Sequence, residues 1–173
     1  MLAGLGAEKL KQITGIYIRL DADEIRRLRE NPHILPKYDP RVALADGRGL
    51  NLGRAWEELG VFLDGGVKLP DRGPTVGDLP MPPNDDERAT WSYVEPERVA
   101  EMAAELRDFR RSARFRIRYD VDPEDTLDEP GSRTAGFGDR RQYMFNKLRA
   151  LAEHYRRAAD NGEGMLVRIG ERI

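Results

Sequence analysis

The run with the most chemical potential in this chain is Gly136-Phe137-Gly138-Asp139-Arg140-Arg141. Two glycines, backbone N–H groups and two arginines at a helix start could receive a phosphate, because the helix dipole and the unsatisfied amides favour an anion. The run lacks the Gly-Lys-Ser/Thr of a P-loop and the third glycine of a dinucleotide fingerprint. Asp139 also offers a simpler use of the same amides, as the cap of the following helix. Gly136, Gly138, Asp139, Arg140 and Arg141 therefore stand as candidate ligand-binding residues against a capping alternative.

Other chemistry is harder to assemble. Asp120-Val121-Asp122-Pro123-Glu124-Asp125 alternates carboxylates, but the glycine and terminal glutamate of an EF-hand are misplaced. Asp85-Asp86-Glu87 is contiguous, which splays its side chains, so solvated turns explain both clusters and no metal is expected. His33 and His154 have no second histidine at ligand spacing, and each is expected at the surface or its boundary. Ser92, Ser112 and Ser132 lack a nucleophile elbow. No catalytic residue and no cofactor follow from these residues.

The best local basic patch joins Arg110, Arg111, Arg114, Arg116 and Arg118 with Phe109, Phe115 and Tyr119. In an extended segment, Arg114, Arg116 and Arg118 share one face, suited to a nucleic-acid backbone or an acidic protein surface. Asp120 and Asp122 flank the patch, which favours a protein partner over nucleic acid. Trp91 and Tyr93 follow a proline-rich stretch and are candidates for the rim of a partner site, whereas Trp56 is expected in the core.

The elements that must position these residues are legible in part. Met144, Leu148, Leu151, Tyr155 and Ala158 recur at helical spacing within 139–161, and Gly162 supplies the stop. A strand over 166–169 follows. Near the other end, 15–20 reads as a strand, and Asp21 and Glu24 have capping-box spacing ahead of a helix over 22–30. Leu52, Ala55, Trp56, Leu59 and Leu63 predict a helix over 51–63, with Gly60 marking a close approach by another backbone. Pro96 opens a helix over 96–110 with Val99, Met102 and Leu106 on its core face. The five prolines between Val67 and Arg88 belong to a long Pro/Gly-rich loop at about 64–90, expected to be disordered or loosely packed. Residues 113–119 read as a strand or as the continuation of a helix.

Composition narrows the class. At 173 residues the chain fits one domain, and one of this size buries roughly 70% of its unfolded surface. Cysteine is absent, which excludes disulfides, thiolate metal sites and cysteine nucleophiles. Lysine and arginine total 29 against 31 acids, so no global charge draws the chain to nucleic acid or anionic lipid. No apolar run approaches the roughly 20 residues of a membrane span, and a soluble, cytoplasmic protein is expected.

These landmarks together resemble the YfbM-like family of bacterial proteins, a domain of unknown function. Thr14–Leu28 is similar to the family's opening strand and capped helix. Leu52, Trp56, Leu59, Leu63 and Gly65 stand in its Trp-helix pattern, and Tyr93, Pro96, Glu97 and Val99 in its next helix start. Tyr155, Ala158, Ala159 and Gly162 match its closing helix. One departure is Gly60, where many relatives have histidine, so any function resting on that imidazole is absent or moved. The resemblance runs from about 13 to 170 and implies an α+β fold, with no activity to carry over.

The expectation is a single α+β domain over 13–173, preceded by an extension over 1–12. A small sheet including 15–20 and 166–169 is covered by about four helices. The leading functional expectation is a non-enzymatic protein-binding domain, regulatory or immunity-like in kind, with an unidentified protein partner. Its competitor is a small hydrolase or phosphate-ligand protein built on 136–141. The sequence leaves monomer and homodimer open.

Overall fold

A computed structural model describes residues 13–65, 68–82, 84, 86–111 and 137–173; of residues 110, 111 and 137–141 only the backbone is described. Five strands form one antiparallel sheet in the order β2-β1-β5-β4-β3: β1 is Ile13–Leu20, β2 Gly49–Gly53, β3 Leu79–Pro80, β4 Ala89–Val94 and β5 Gly164–Glu171. The α+β class and the single domain stand. β1 and β5 pair along their whole length, Ile13 opposite Glu171 through Leu20 opposite Gly164. Both are covered on both faces, which explains their nearly continuous apolar sequences.

Strand alternation divides the core in two. Tyr17, Met165 and Val167 face one layer, made by α3 (Ala55–Leu63), α4 (Pro96–Arg111) and α5 (Phe137–Asp160). Ile16, Ile18, Leu20, Leu166, Trp91 and Tyr93 face the other. That second layer consists of α1 (Ala22–Glu30), a 3₁₀ turn over Pro32–Lys37 and α2 (Pro40–Ala45). The short turn and α2 come in addition to the four helices expected.

Several local readings hold. Asp21 Oδ1 accepts from the Glu24 N–H at 2.7 Å while Glu24 Oε2 accepts from the Asp21 N–H at 3.0 Å, closing the capping box. Met144, Leu148, Leu151, Tyr155 and Ala158 are all buried. At the end of α5, the Glu163 N–H donates to Ala158 O and the Gly162 N–H to Ala159 O, with Gly162 at φ 64°. This is the Schellman pattern that a glycine permits.

Three readings need correction. Residues 51–53 belong to β2, not to the Trp helix. Leu50 and Leu52 point inward as strand residues with exposed Asn51 between them. The left-handed turn at Gly53 (φ 58°) then hands the apolar spacing over to α3. Trp91–Val94, expected only to lead into a helix, lies in β4. The proline-rich stretch, expected to be loose, is tied down where described. Tyr17 Oη donates to Thr75 O at 2.7 Å, Tyr155 Oη to Pro74 O at 2.9 Å, and Ser92 Oγ to Val76 O at 2.6 Å. The anchors are hydroxyls from distant core elements reaching loop carbonyls, which loop composition does not reveal. A Cβ at Gly60 would lie 2.7 Å from Leu69 Cδ1 and Thr75 Oγ1. The close approach expected there is real, but side chains of this strap make it, not backbone.

Candidate functional site

The sheet places Trp91 of β4 directly opposite Arg168 of β5. Facing cross-strand partners share a face, so the guanidinium carbon lies 5.8 Å from the Trp91 ring centroid. Both side chains are buried, Arg168 at 5% exposure. A charge at that depth needs a partner, and Asp86 supplies it: its Oδ2 lies 3.4 Å from Arg168 Nε and accepts from Trp91 Nε1–H at 3.0 Å. Asp86 is itself fixed by local turns. Its N–H donates to Asn84 Oδ1 at 3.0 Å, and its Oδ1 accepts from the Arg88 N–H at 3.2 Å. Arg168 Nη1 donates to Glu171 O at 2.9 Å.

Asn84, Asp86, Trp91 and Arg168 line a groove of about 380 Å³. Leu35 and Pro36 of the 3₁₀ turn, Tyr38 just after it, Pro40 of α2 and Ile173 line it as well. The Asp39 side chain caps α2 by accepting from the Arg41 N–H at 2.8 Å. Burial beside Glu24 raises the Tyr38 phenol above its ordinary value, so it is a neutral hydroxyl at neutral pH. The groove thus combines an apolar and aromatic lining with a buried arginine that Asp86 neutralises.

The opposite face carries a smaller cavity of about 210 Å³, lined by Leu63, Thr75, Arg98, Leu106 and Phe109 among others. Its arginine is already committed: Arg98 pairs with Glu101 and lies 3.8 Å from Asp78. Beneath it, Tyr17 and Tyr155 are fully buried, and burial raises both phenols.

The residues singled out from sequence fare differently. Trp91 does line the groove. Tyr93 lies on the same face of β4 but is not part of the groove lining; burial and nearby Glu95 raise its phenol, partly offset by Arg29. Arg114, Arg116 and Arg118, the 120–125 acids and Gly136 lie outside the described residues. Helix α5 begins at Phe137, two residues before the expected start, so Gly138, Asp139 and Arg140 occupy its first turn. The side chains of Asp139, Arg140 and Arg141 lie outside what is described. Among the described residues, no group of three His, Asp or Glu is placed to hold a metal ion.

His154 is a correction. Expected at the surface or its boundary, it is 7% exposed, and its Nε2 lies 3.0 Å from Tyr17 O. A carbonyl only accepts, so Nε2 carries the proton and donates. Burial, followed by the charge of Arg19, pulls its pKa down to about 4, against the stabilising bond to Tyr17 O. His33 is exposed, as expected.

Sequence reading missed Arg168 and Tyr38, and it took Asp86 for part of a solvated turn, whereas its carboxylate meets buried Arg168 and Trp91. The signal for the first was present: an arginine interrupting Met165-Leu166-Val167-Arg168-Ile169, in a strand covered on both faces, must be paired in the interior.

Comparison with known proteins places this arrangement in a family. The profile of a domain of unknown function (DUF1877) matches residues 12–168, and the chain belongs to that family. Among solved structures, it is similar to a protein of unknown function, YfbM, from Escherichia coli. The TM-score is 0.57 and the identity 16%, over 90% of this chain and 99% of that one. At that identity the likeness is one of fold. No curated protein matches the chain. Among the described residues, no helix is long and apolar enough to cross a membrane.

Proposed function

We propose that the chain is a cytoplasmic, non-enzymatic protein-binding domain and that the groove beside Trp91 is its recognition surface. The observation that carries this reading is the convergence of Trp91, Tyr38 and Arg168 in one depression. Tryptophan, tyrosine and arginine are the residue types that dominate binding energy at protein interfaces, and they do so from desolvated central positions such as this one. The groove's polar groups are held by fixed turns and strand pairing, so little side-chain entropy is lost when a partner binds. The partner is an extended segment of another protein, with one side chain set among Trp91, Tyr38 and the other lining residues.

Affinity co-purification at physiological salt tests the reading when wild type is run beside two variants. Pro36→Arg places a long charged side chain over the exposed groove wall, and Glu101→Arg alters the exposed far side of α4. The expected result is a near-equimolar partner retained by wild type and by Glu101→Arg but lost from Pro36→Arg. Retention by all three would remove the groove from the interface.

A further inference from the structure

The sheet has two edges, and they are finished differently. β3 is two residues long, and its exposed Pro80 has no N–H to offer a further strand. β2, at the other edge, carries neither proline nor charge over Gly49–Gly53. Its one irregularity, a shift of register against β1 opposite Gly15 and Ile16, falls at the Leu52–Gly53 end.

The direction of the edge's backbone groups follows from the register. Tyr17 faces Leu50 and Ile18 faces Gly49, and the Arg19 N–H donates to Arg48 O at 2.9 Å. Bonded and non-bonded pairs alternate along an antiparallel ladder, so Arg48 and Leu50 turn their N–H and C=O toward β1. Gly49 and Asn51 turn theirs away, toward an edge where no described strand follows. The Asn51 side chain is folded back along its own strand, with Oδ1 accepting from the Gly53 N–H at 2.7 Å.

We propose that this edge is a homodimer interface, in which β2 pairs antiparallel with β2 of a second copy about a two-fold axis at Leu50. In that register Gly49 of each copy meets Asn51 of the other, and each such pair exchanges both of its backbone hydrogen bonds. The Leu50 side chains meet across the axis, beside the helical-layer cluster against which Leu50 already packs.

A second copy is the occupant because charges complement in the same register. Arg54 is exposed and makes no ion pair among the described residues. It lies as far after Leu50 as Asp46 lies before it, so each Arg54 approaches Asp46 of the other copy. There Asp46 and Glu24 both face Arg48, at 3.1 and 3.5 Å, which leaves one carboxylate charge over. The interface is isologous, so the match is made twice. The dimer does not rest on the groove, whose lining includes no residue of β2.

The chain has no cysteine, so a single introduced cysteine reports contact between copies without background. Facing residues of a non-bonded pair lie about 4.5 Å apart at Cα, within reach of a disulfide. Sedimentation equilibrium of the wild type should give twice the mass of the chain. Leu50→Cys should oxidise to a covalent dimer, whereas Glu101→Cys, on the exposed side of α4, should not. Asn51→Pro removes an outward N–H, leaves the ladder with β1 whole and should be monomeric. Arg54→Glu changes only an exposed side chain and should weaken dimerisation about tenfold. A wild type that stays monomeric up to about 100 μM overturns the inference. So does a dimer that Arg54→Glu leaves at full strength and Leu50→Cys fails to lock, because its interface then lies elsewhere. Those two variants decide the matter even where Asn51→Pro does not fold.

Discussion

The two faces of the sheet solve the same problem in different ways. On the helical face, a proline-rich strap is drawn down by Tyr17, Tyr155 and Ser92, whose hydroxyls are all used on strap carbonyls. On the other face, the 84–88 turn is held by Asp86, Trp91 and Arg168, and a groove of about 380 Å³ stays open beside them. The difference is one of donor inventory. A hydroxyl has one hydrogen and is satisfied by one carbonyl, whereas a guanidinium has five, and that of Arg168 engages Asp86 and Glu171 O at once.

Breaking the groove face at its charge is expected to have the largest effect. Asp86→Ala leaves Arg168 buried without its counter-ion and Trp91 Nε1 without its acceptor. The expected loss is about 3 kcal/mol in urea-induced unfolding, and Asp86→Asn, which keeps an acceptor for Trp91 Nε1 but removes the counter-ion, should retain most of that loss. A full loss in Asp86→Asn would assign the effect to charge alone.

A comparable effect is expected from pH at His154. The unfolded chain protonates this imidazole near pH 6.5, whereas the folded chain resists until about 4. Between those values the unfolded state binds more protons, so stability rises with pH and falls on acidification, by about 3 kcal/mol across the window. Below about pH 4 this group contributes no further loss. His154→Gln keeps a donor for Tyr17 O and does not titrate, so its stability curve should be flatter than wild type between pH 4 and 6.5. Parallel curves would contradict the buried, neutral imidazole.

Smaller effects test the strapped, helical face. Tyr155→Phe leaves Pro74 O without its donor and should cost about 1–2 kcal/mol, with faster amide exchange confined to the strap. Unchanged exchange there would mean that the hydroxyl does not hold the strap. Thr75 Oγ1 is buried without a partner, the one such hydroxyl among the described residues. Thr75→Val replaces it with a methyl group and is expected to stabilise the fold by up to about 1 kcal/mol, read from the same unfolding curves. A loss of stability would point to a bound water at that position.

The contrast also explains what the sequence discloses. The capping box at Asp21 and Glu24, the stripe on α5 and the stop at Gly162 depend on neighbours a few residues away, and all are legible. β2 was hidden because Leu50 and Leu52 suit strand spacing while Leu52, Ala55, Trp56 and Leu59 suit a helix, and only the turn at Gly53 separates the two. The strap was hidden because its anchors arrive from 16 to 81 residues away. Of the groove, Trp91 was visible as an aromatic beside a proline-rich stretch. Arg168 and Asp86 acquire their meaning only when β4 pairs with β5, a pairing across more than seventy residues. Burial of His154 was concealed similarly: it is set off from the stripe of α5, and β1 supplies the carbonyl that receives its proton.

The central claim is that recognition occurs at the open face, and site-specific photo-cross-linking addresses it most directly. A benzophenone side chain is placed at Pro36, on the groove wall, or at Glu101, on the exposed side of α4, and each protein is irradiated in cell extract. The account predicts one cross-linked partner from position 36, absent from position 101. The same partner captured from position 101 instead, or captured equally from both, would contradict it.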